Sequence, residues 1–113
     1  MILTKDKPFT EEEIQQLREE FDRYIKTVID VEKNICSAGC NRHFESEKIL
    51  LDQGSKQEHL WGGGIDLDTK TIDGNSFINI RPNQQNTSNE IQDKHIRDSF
   101  NKQMKFFFKR IYG

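Results

Sequence analysis

The side chains best suited to chemistry lie between Trp61 and Ser88. Arg81 could hold a carboxylate or phosphate, because its planar guanidinium can donate two parallel hydrogen bonds. The same stretch supplies carboxylate, amide and hydroxyl groups and bare backbone at Asp66, Asn79, Asn86, Ser88, Gly63 and Gly64. These residues predict a site for a small anionic ligand. The alternative is a cross-strand ion pair on a solvated sheet face, worth about 0.2–1 kcal/mol.

The glycine run Gly62-Gly63-Gly64 is not a phosphate loop of the usual kinds. It lacks the Gly-x-Gly-x-x-Gly spacing and the Lys-Ser/Thr ending, and a strand pattern follows it instead of a helix. Two interpretations remain open. The run is either a backbone that a ligand can approach closely, or a structural feature, namely a bulge or room for the side chain of Trp61 or Arg81 to lie over the strand.

His43 and Glu47 are the candidate catalytic pair. They are four residues apart at the start of a predicted helix, so their side chains can meet. A histidine beside a carboxylate can move protons near neutral pH. The alternative is that His43 simply caps or packs against the helix start.

Two cysteines precede this histidine in a Cys36-x3-Cys40-x2-His43 array. The array differs from the paired Cys-x2-Cys knuckles of structural zinc sites, and a fourth ligand would have to come from elsewhere. We therefore expect free thiols, and we expect neither a metal nor a cofactor.

Periodicity predicts the elements that position these residues. A capping box at Thr10 and Glu13 starts the first helix, and an alternating pattern begins at Tyr24. In chain order we predict a helix from residue 10, strands at 24–31 and 35–39, a short helix at 44–53, a hairpin between residues 64 and 82, and a last helix at 93–111.

The central hairpin determines which polar groups meet. If Asp73-Gly74 is its turn, Asp66 lies opposite Arg81; a looser loop sets Asp66 against Asn79. The predicted fold is α+β, with about four antiparallel strands from two β-hairpins, helices on one face, and the order α-β-β-α-β-β-α.

Composition sets the limits of size and partners. Residues 1–113 suffice for a single domain, but only 33% are hydrophobic, so the core is small and burial between subunits would supplement it. We therefore expect a homodimer, with Trp61 and Phe106 at its interface. The net charge of −2 argues against a dedicated nucleic-acid binder, and no apolar run is long enough to span a membrane. The expected location is the cytoplasm.

Several of these motifs resemble a family of short bacterial and archaeal proteins known only as a domain of unknown function. The resemblance extends over the full length. It is strongest at 43–47, at 54–58, at Trp61-Gly62-Gly63-Gly64-Ile65-Asp66, and from Ile78-Asn79-Ile80-Arg81-Pro82 through Asn86 and Ser88. It implies an intact domain and no particular chemistry. The cysteines lie outside the shared pattern, which weakens the case for a thiol role.

Two functions follow from these observations. The first is a small cytosolic, homo-oligomeric interaction or structural module, which we favour because no constellation has the spacing of a known catalytic motif. The alternative is a site that binds or hydrolyses a small anion, a phosphate or phosphodiester, on the polar face of the 64–82 hairpin. In that site Arg81 would hold the anion, Asp66 would orient Arg81, and His43 would carry protons.

Overall fold

A computed structural model describes residues 1–112, which form three α-helices and a five-stranded antiparallel sheet. The helices are α1 (Glu11–Phe21), α2 (His43–Asp52) and α3 (Lys94–Phe107); the strands are β1 (Leu3–Lys5), β2 (Tyr24–Asp30), β3 (Ile35–Ala38), β4 (Leu60–Asp66) and β5 (Thr71–Asp73). The strand order across the sheet is β1-β3-β2-β4-β5. The predicted α+β class is confirmed, with one strand more than expected.

The start of α1 has the predicted capping box. Thr10 Oγ1 accepts the backbone N–H of Glu13 at 3.1 Å, and Glu13 Oε1 accepts the backbone N–H of Thr10 at 2.9 Å. Both groups would otherwise lack helical partners, so the pair fixes where the helix begins. Ile14 and Leu17 then lie one turn apart on the buried face of α1.

Helices α1 and α3 cover one face of the sheet. Its core contains Ile25 and Ile29 from β2 and Phe100, Met104 and Phe107 from α3. Helix α3 ends at residue 107, earlier than predicted, and a short 3₁₀ turn follows over residues 109–112. No helix in residues 1–112 is both long enough and apolar enough to cross a bilayer.

Helix α2 covers the opposite face, so the prediction of helices on one face only is wrong for this helix. Val28 of β2 packs with Leu50 of α2 and Leu60 of β4 in a separate cluster. Ser37 of β3 donates its hydroxyl to Ser46 of α2 at 2.9 Å. Because β2 carries apolar side chains on both faces, each face needs a helix to exclude water from it.

The second hairpin turns earlier than predicted. Strand β4 pairs with β5 through a turn over residues 67–70, and Asp66 lies opposite Thr71. Asp66 Oδ1 accepts the backbone N–H groups of Asp68 and Thr69 at 2.9 and 3.0 Å. This side-chain bond stabilises the tight turn and stops β4 from continuing past residue 66.

Residues 78–82 do not form a strand, so the predicted pairing of Asp66 with Arg81 or Asn79 is wrong. The segment contains two 3₁₀ turns, Phe77–Asn79 and Pro82–Gln84. Side-chain oxygens of Asp73 and Ser76 accept the N–H groups two residues further on, which bends the chain away from the sheet. The alternation of apolar residues in 78–82 therefore does not reflect sheet pairing.

Candidate functional site

The outer edge of β4 is covered by a side chain where a further strand would otherwise lie. The carboxamide of Asn79 accepts the N–H of Gly62 at 2.8 Å and donates to the Gly62 carbonyl at 2.9 Å. It also donates to the carbonyls of Gly74 and Asn89, at 3.0 and 2.9 Å. The fully buried amide thus replaces the missing strand and ties three segments together.

Arg81 lies beside the same edge. Its guanidinium donates to the carbonyls of Gln57 and Leu60, and its central carbon lies 4.0 Å from the centre of the Trp61 ring. Burial lowers the pKa of Arg81, an effect that the charge of Glu47 opposes. Among the described residues, the buried Nε of Arg81 and Nε1 of Trp61 have no hydrogen-bond partner. The cation is therefore held by carbonyl dipoles and an aromatic face.

We expect Arg81→Lys to lower the free energy of unfolding by about 2 kcal/mol, because an ammonium cannot span both carbonyls while stacking on the indole. Urea denaturation followed by circular dichroism would measure the change. Arg42→Lys, at an exposed arginine, is the matched control and should change stability by less than about 0.5 kcal/mol. Equal stability of Arg81→Lys and wild type would contradict a structural role for the guanidinium.

The loop after Arg81 also directs its polar groups inward. Asn86 donates to the carbonyls of Asn79, Ser88 and Glu90 at 2.8 to 3.1 Å, and its Oδ1 accepts the Gln92 N–H at 2.9 Å. The hydroxyl of Ser88 accepts the Glu90 N–H. These two predicted ligand-binding residues therefore hold the loop in shape.

Asp66 lies in a different ion pair from the one predicted. Its Oδ2 accepts two hydrogen bonds from Arg23, at 2.6 and 2.9 Å. The backbone N–H of Thr69, followed by the Arg23 side chain, lowers the pKa of Asp66 to about 2. The structure thus pairs Asp66 with Arg23 and leaves Arg81 to its carbonyl partners.

The predicted catalytic pair has separate partners. His43 Nε2 lies 2.7 Å from the carbonyl of Gly63, so this nitrogen carries the proton and donates it. Burial lowers the pKa of His43, which favours the neutral ring. Glu47 instead accepts a 3.5 Å hydrogen bond from Gln57. The structure does not bring His43 and Glu47 together as an acid–base couple.

The two thiols are buried and free. Burial raises the pKa of both Cys36 and Cys40, so they are protonated at neutral pH. Within residues 1–112, no three His, Cys, Asp or Glu side chains converge as metal ligands. Both cysteines therefore contribute to packing.

The predicted interface residues differ in exposure. Trp61 is 1% exposed and packs in the core, which contradicts its expected position at the surface. Phe106 is 45% exposed, so its side chain is available to a partner. Its role in an interface remains a prediction.

An open hollow of about 490 Å³ lies where α2 begins. We call it the Phe77 hollow; its lining residues are Lys26, Asn41, Arg42, His43, Phe44, Ser76, Phe77 and Ile78. Phe44 and Phe77 are 57% and 80% exposed, an unusual state for large aromatic side chains. This hollow combines exposed apolar surface with two cationic side chains.

The glycine run makes room for the neighbours of β4. A Cβ at Gly62 would lie 2.7 Å from Ser76 Cβ and 3.1 Å from His43 Cδ2, and one at Gly64 would meet the Tyr24 ring. The residues against these glycines are therefore Ser76, His43 and Tyr24, and not Trp61 or Arg81, which the sequence had suggested. At Gly62 the bare backbone lets two lining residues of the Phe77 hollow lie against the sheet.

Comparison with known families supports a full-length relationship. A family model described as a protein of unknown function, DUF5674, matches residues 2–107. The chain belongs to the DUF5674 family. No curated protein and no solved structure gives a significant match. Family membership therefore establishes the relationship and leaves the activity to be argued from the site.

In this DUF5674 protein the motif at residues 54–58, where the family resemblance is also strong, has a structural role. The hydroxyl of Ser55 donates to Oδ2 of the buried Asp30 at 2.6 Å, and Oδ1 of Asp30 accepts the N–H groups of Glu32 and Lys33. The carboxylate thereby joins the β2–β3 turn to the end of α2. Residues 54–58 thus fix a junction between elements.

Sequence reasoning missed the Phe77 hollow of this DUF5674 protein, although one signal was present. On the predicted strand, Phe77 falls on the outward face with Asn79 and Arg81. A large aromatic on a polar face indicates either a partner or a wrong assignment of the strand. The structure shows that the strand assignment was wrong and that Phe77 is nevertheless exposed.

Proposed function

We propose that this DUF5674 protein is a small, single-domain binding module that acts as a homodimer in the cytoplasm, without catalytic activity. One observation carries the proposal. The polar groups that could do chemistry donate to or accept from the protein's own backbone, whereas aromatic side chains remain exposed. Exposed aromatics beside polar groups are typical of surfaces that bind partners.

The alternative, a small-anion or phosphodiester site on residues 64–82, receives less support from the geometry. Arg81 would have to leave two carbonyls and the Trp61 ring to reach an anion. Asp66 is engaged by Arg23, and His43 by Gly63. Each proposed role would therefore require a rearrangement of the folded chain.

Self-association is best supported on the outer side of α3. Phe106 borders a hollow of about 560 Å³, the Phe106 hollow, whose other lining residues are Asp6, Val31, Asn34, Ser99, Lys102 and Gln103. An aromatic ring next to a hollow suits a two-fold interface, since the ring of each copy can enter the hollow of the other. The hollow also carries charges of both signs, so Lys102 of one copy can face Asp6 of the second.

Phe106→Asp should shift the protein from dimer to monomer, because a charge would replace the apolar ring at the centre of the contact. We expect the dimer dissociation constant to rise at least about 30-fold. Sedimentation velocity over a range of concentrations would measure it. Phe77→Asp, on another surface, is the control and should leave the dimer intact. A wild-type protein that sediments as a monomer at all concentrations would refute the homodimer.

The cytoplasmic location rests on the thiols. Both cysteines are free and buried without forming a disulfide. Free thiols suit a reducing compartment, where disulfides rarely persist.

A further inference from the structure

The Phe77 hollow carries an inference independent of self-association, although it rests on the proposed role as a binding module. Phe77 belongs to a 3₁₀ turn that Ser76 caps, with Ser76 Oγ accepting the Ile78 N–H at 3.3 Å. The turn ends at Asn79, whose amide is bonded to β4. The aromatic ring is therefore presented to solvent from an anchored segment.

The opposite side of the hollow is the start of α2. Phe44, the second residue of that helix, is exposed, and His43 before it is held by the Gly63 carbonyl. Ser76 and His43, which line the hollow, lie close to β4 because Gly62 has no side chain. Two exposed phenylalanines thus flank a hollow built on rigid elements, which limits the conformational entropy that binding would cost.

Both charged side chains that line the hollow are cations. Lys26 and Arg42 line it, and none of its eight lining residues is an Asp or Glu. The Lys26 ammonium donates one hydrogen bond to the Asn41 carbonyl at 2.8 Å, which positions the charge and leaves two donors. The nearby carboxylate of Asp73 is engaged by the Tyr24 hydroxyl at 2.7 Å. The hollow therefore favours a negatively charged occupant with an apolar part.

We propose that the Phe77 hollow docks a protein segment in which an apolar or aromatic side chain stands next to Asp or Glu. The apolar side chain would enter between Phe44 and Phe77, and the carboxylates would pair with Lys26 and Arg42. Charge complementarity selects this occupant. A nucleic acid fits less well, because a polyanion is held by an extended row of cations and only Lys26 and Arg42 line this hollow. A simple phosphate would leave both aromatic rings uncovered.

The probe is a labelled pool of short peptides that alternate Asp or Glu with Phe, Leu or Trp, with end groups blocked. Fluorescence anisotropy against the full chain should show saturable binding that weakens as salt increases. A pool with Lys and Arg in place of the acids, and a single-stranded RNA oligonucleotide, are the competing ligands. Absence of binding by the acidic pool, or tighter binding of either competitor, would overturn the proposal.

Variants localise the binding. Phe77→Ala should weaken binding of the acidic pool about tenfold or more, because an exposed aromatic anchor is lost. Arg42→Gln should weaken it and reduce its salt dependence. Phe106→Asp lies outside the hollow, so the monomeric variant should bind as well as wild type; this separates failure of the dimer from failure of the docking site. Unchanged binding by Phe77→Ala, with an unchanged thermal midpoint, would refute the site. A change in sedimentation caused by Phe77→Ala would instead assign the hollow to a second copy of the chain.

Discussion

Replacing Asn79 with alanine should lower the free energy of unfolding by about 4 kcal/mol. The substitution leaves the N–H and carbonyl of Gly62 without their partner at this edge. It also removes one donor from the carbonyls of Gly74 and Asn89, which keep the backbone N–H groups of Ile91 and Ser76. Each buried polar group left unsatisfied costs about 1–3 kcal/mol, although water entering the gap would recover part of it. Chemical denaturation monitored by tryptophan fluorescence is suitable, since the single tryptophan, Trp61, is in the adjoining core.

Asn83→Ala is the matched control for this experiment. Asn83 lies in the same segment but is exposed, so its truncation should change stability by less than about 0.5 kcal/mol. If Asn79→Ala and Asn83→Ala had similar stabilities, the amide of Asn79 could not be what holds the segment to β4.

Gly63→Ala should destabilise the protein by about 3 kcal/mol or more, beyond the usual cost of a single added methyl group. The new Cβ would lie 2.6 Å from Phe100 Cζ and would collide with the backbone carbonyl oxygen of Asp73 in β5. The Asp73 carbonyl is held in the sheet, so β5 must separate from β4 to make room. Thermal unfolding gives the loss, and amide hydrogen exchange shows whether β5 is released first.

Gly74→Ala is the control that tests whether the loss of stability is specific to Gly63 or follows from any added methyl group. Its Cβ would meet the end of the Ile91 side chain at 3.0 Å, and that end can rotate away. We expect a loss of about 1 kcal/mol or less. A Gly63→Ala protein as stable as Gly74→Ala would show that β4 and β5 tolerate a wider separation than the structure indicates.

The elements that could be predicted are those with signals in neighbouring residues. The capping box of Thr10 and Glu13 marks the start of α1. Asn34 adopts a positive φ of 58° in the β2–β3 turn, a conformation that asparagine tolerates better than most residues. Gly54, with a φ of 101°, follows the end of α2, close to the predicted helix end at residue 53. In each case the residues that determine the structure lie within a few positions of it.

The predicted position of the second hairpin turn is wrong because two turn signals compete within eight residues. Asp66 and Asp73 can both accept N–H groups two residues on, and both do. The preference for Asp73-Gly74 rested on the statistics of hairpin turns. The actual outcome depends on β5, a strand of three residues too short to give a periodic pattern. Strand β1, equally short and ending in a lysine, was missed for the same reason.

The prediction of the site was correct about which polar residues lie together and wrong about what they bind. The residues from Asn79 to Asn86 do form one polar cluster, but their partners are backbone groups distant in sequence, such as those of Gly62 and Gln57. The same types of polar residue hydrogen-bond to backbone groups in one protein and bind a ligand in another. Local pattern cannot separate them, because the distinction depends on which carbonyls the fold leaves nearby.

The way the edge of β4 is covered has a consequence for the protein in a crowded cell. Residues 60–64, Leu-Trp-Gly-Gly-Gly, carry no charge or proline, the features that usually deter strand-by-strand aggregation. Here the protection comes from Asn79 and Arg81, which are attached to a separate segment. Substitutions at either residue would therefore expose the unpaired edge of β4 while the rest of the sheet stayed folded. Molecules in that state would aggregate through this edge before the whole domain unfolds.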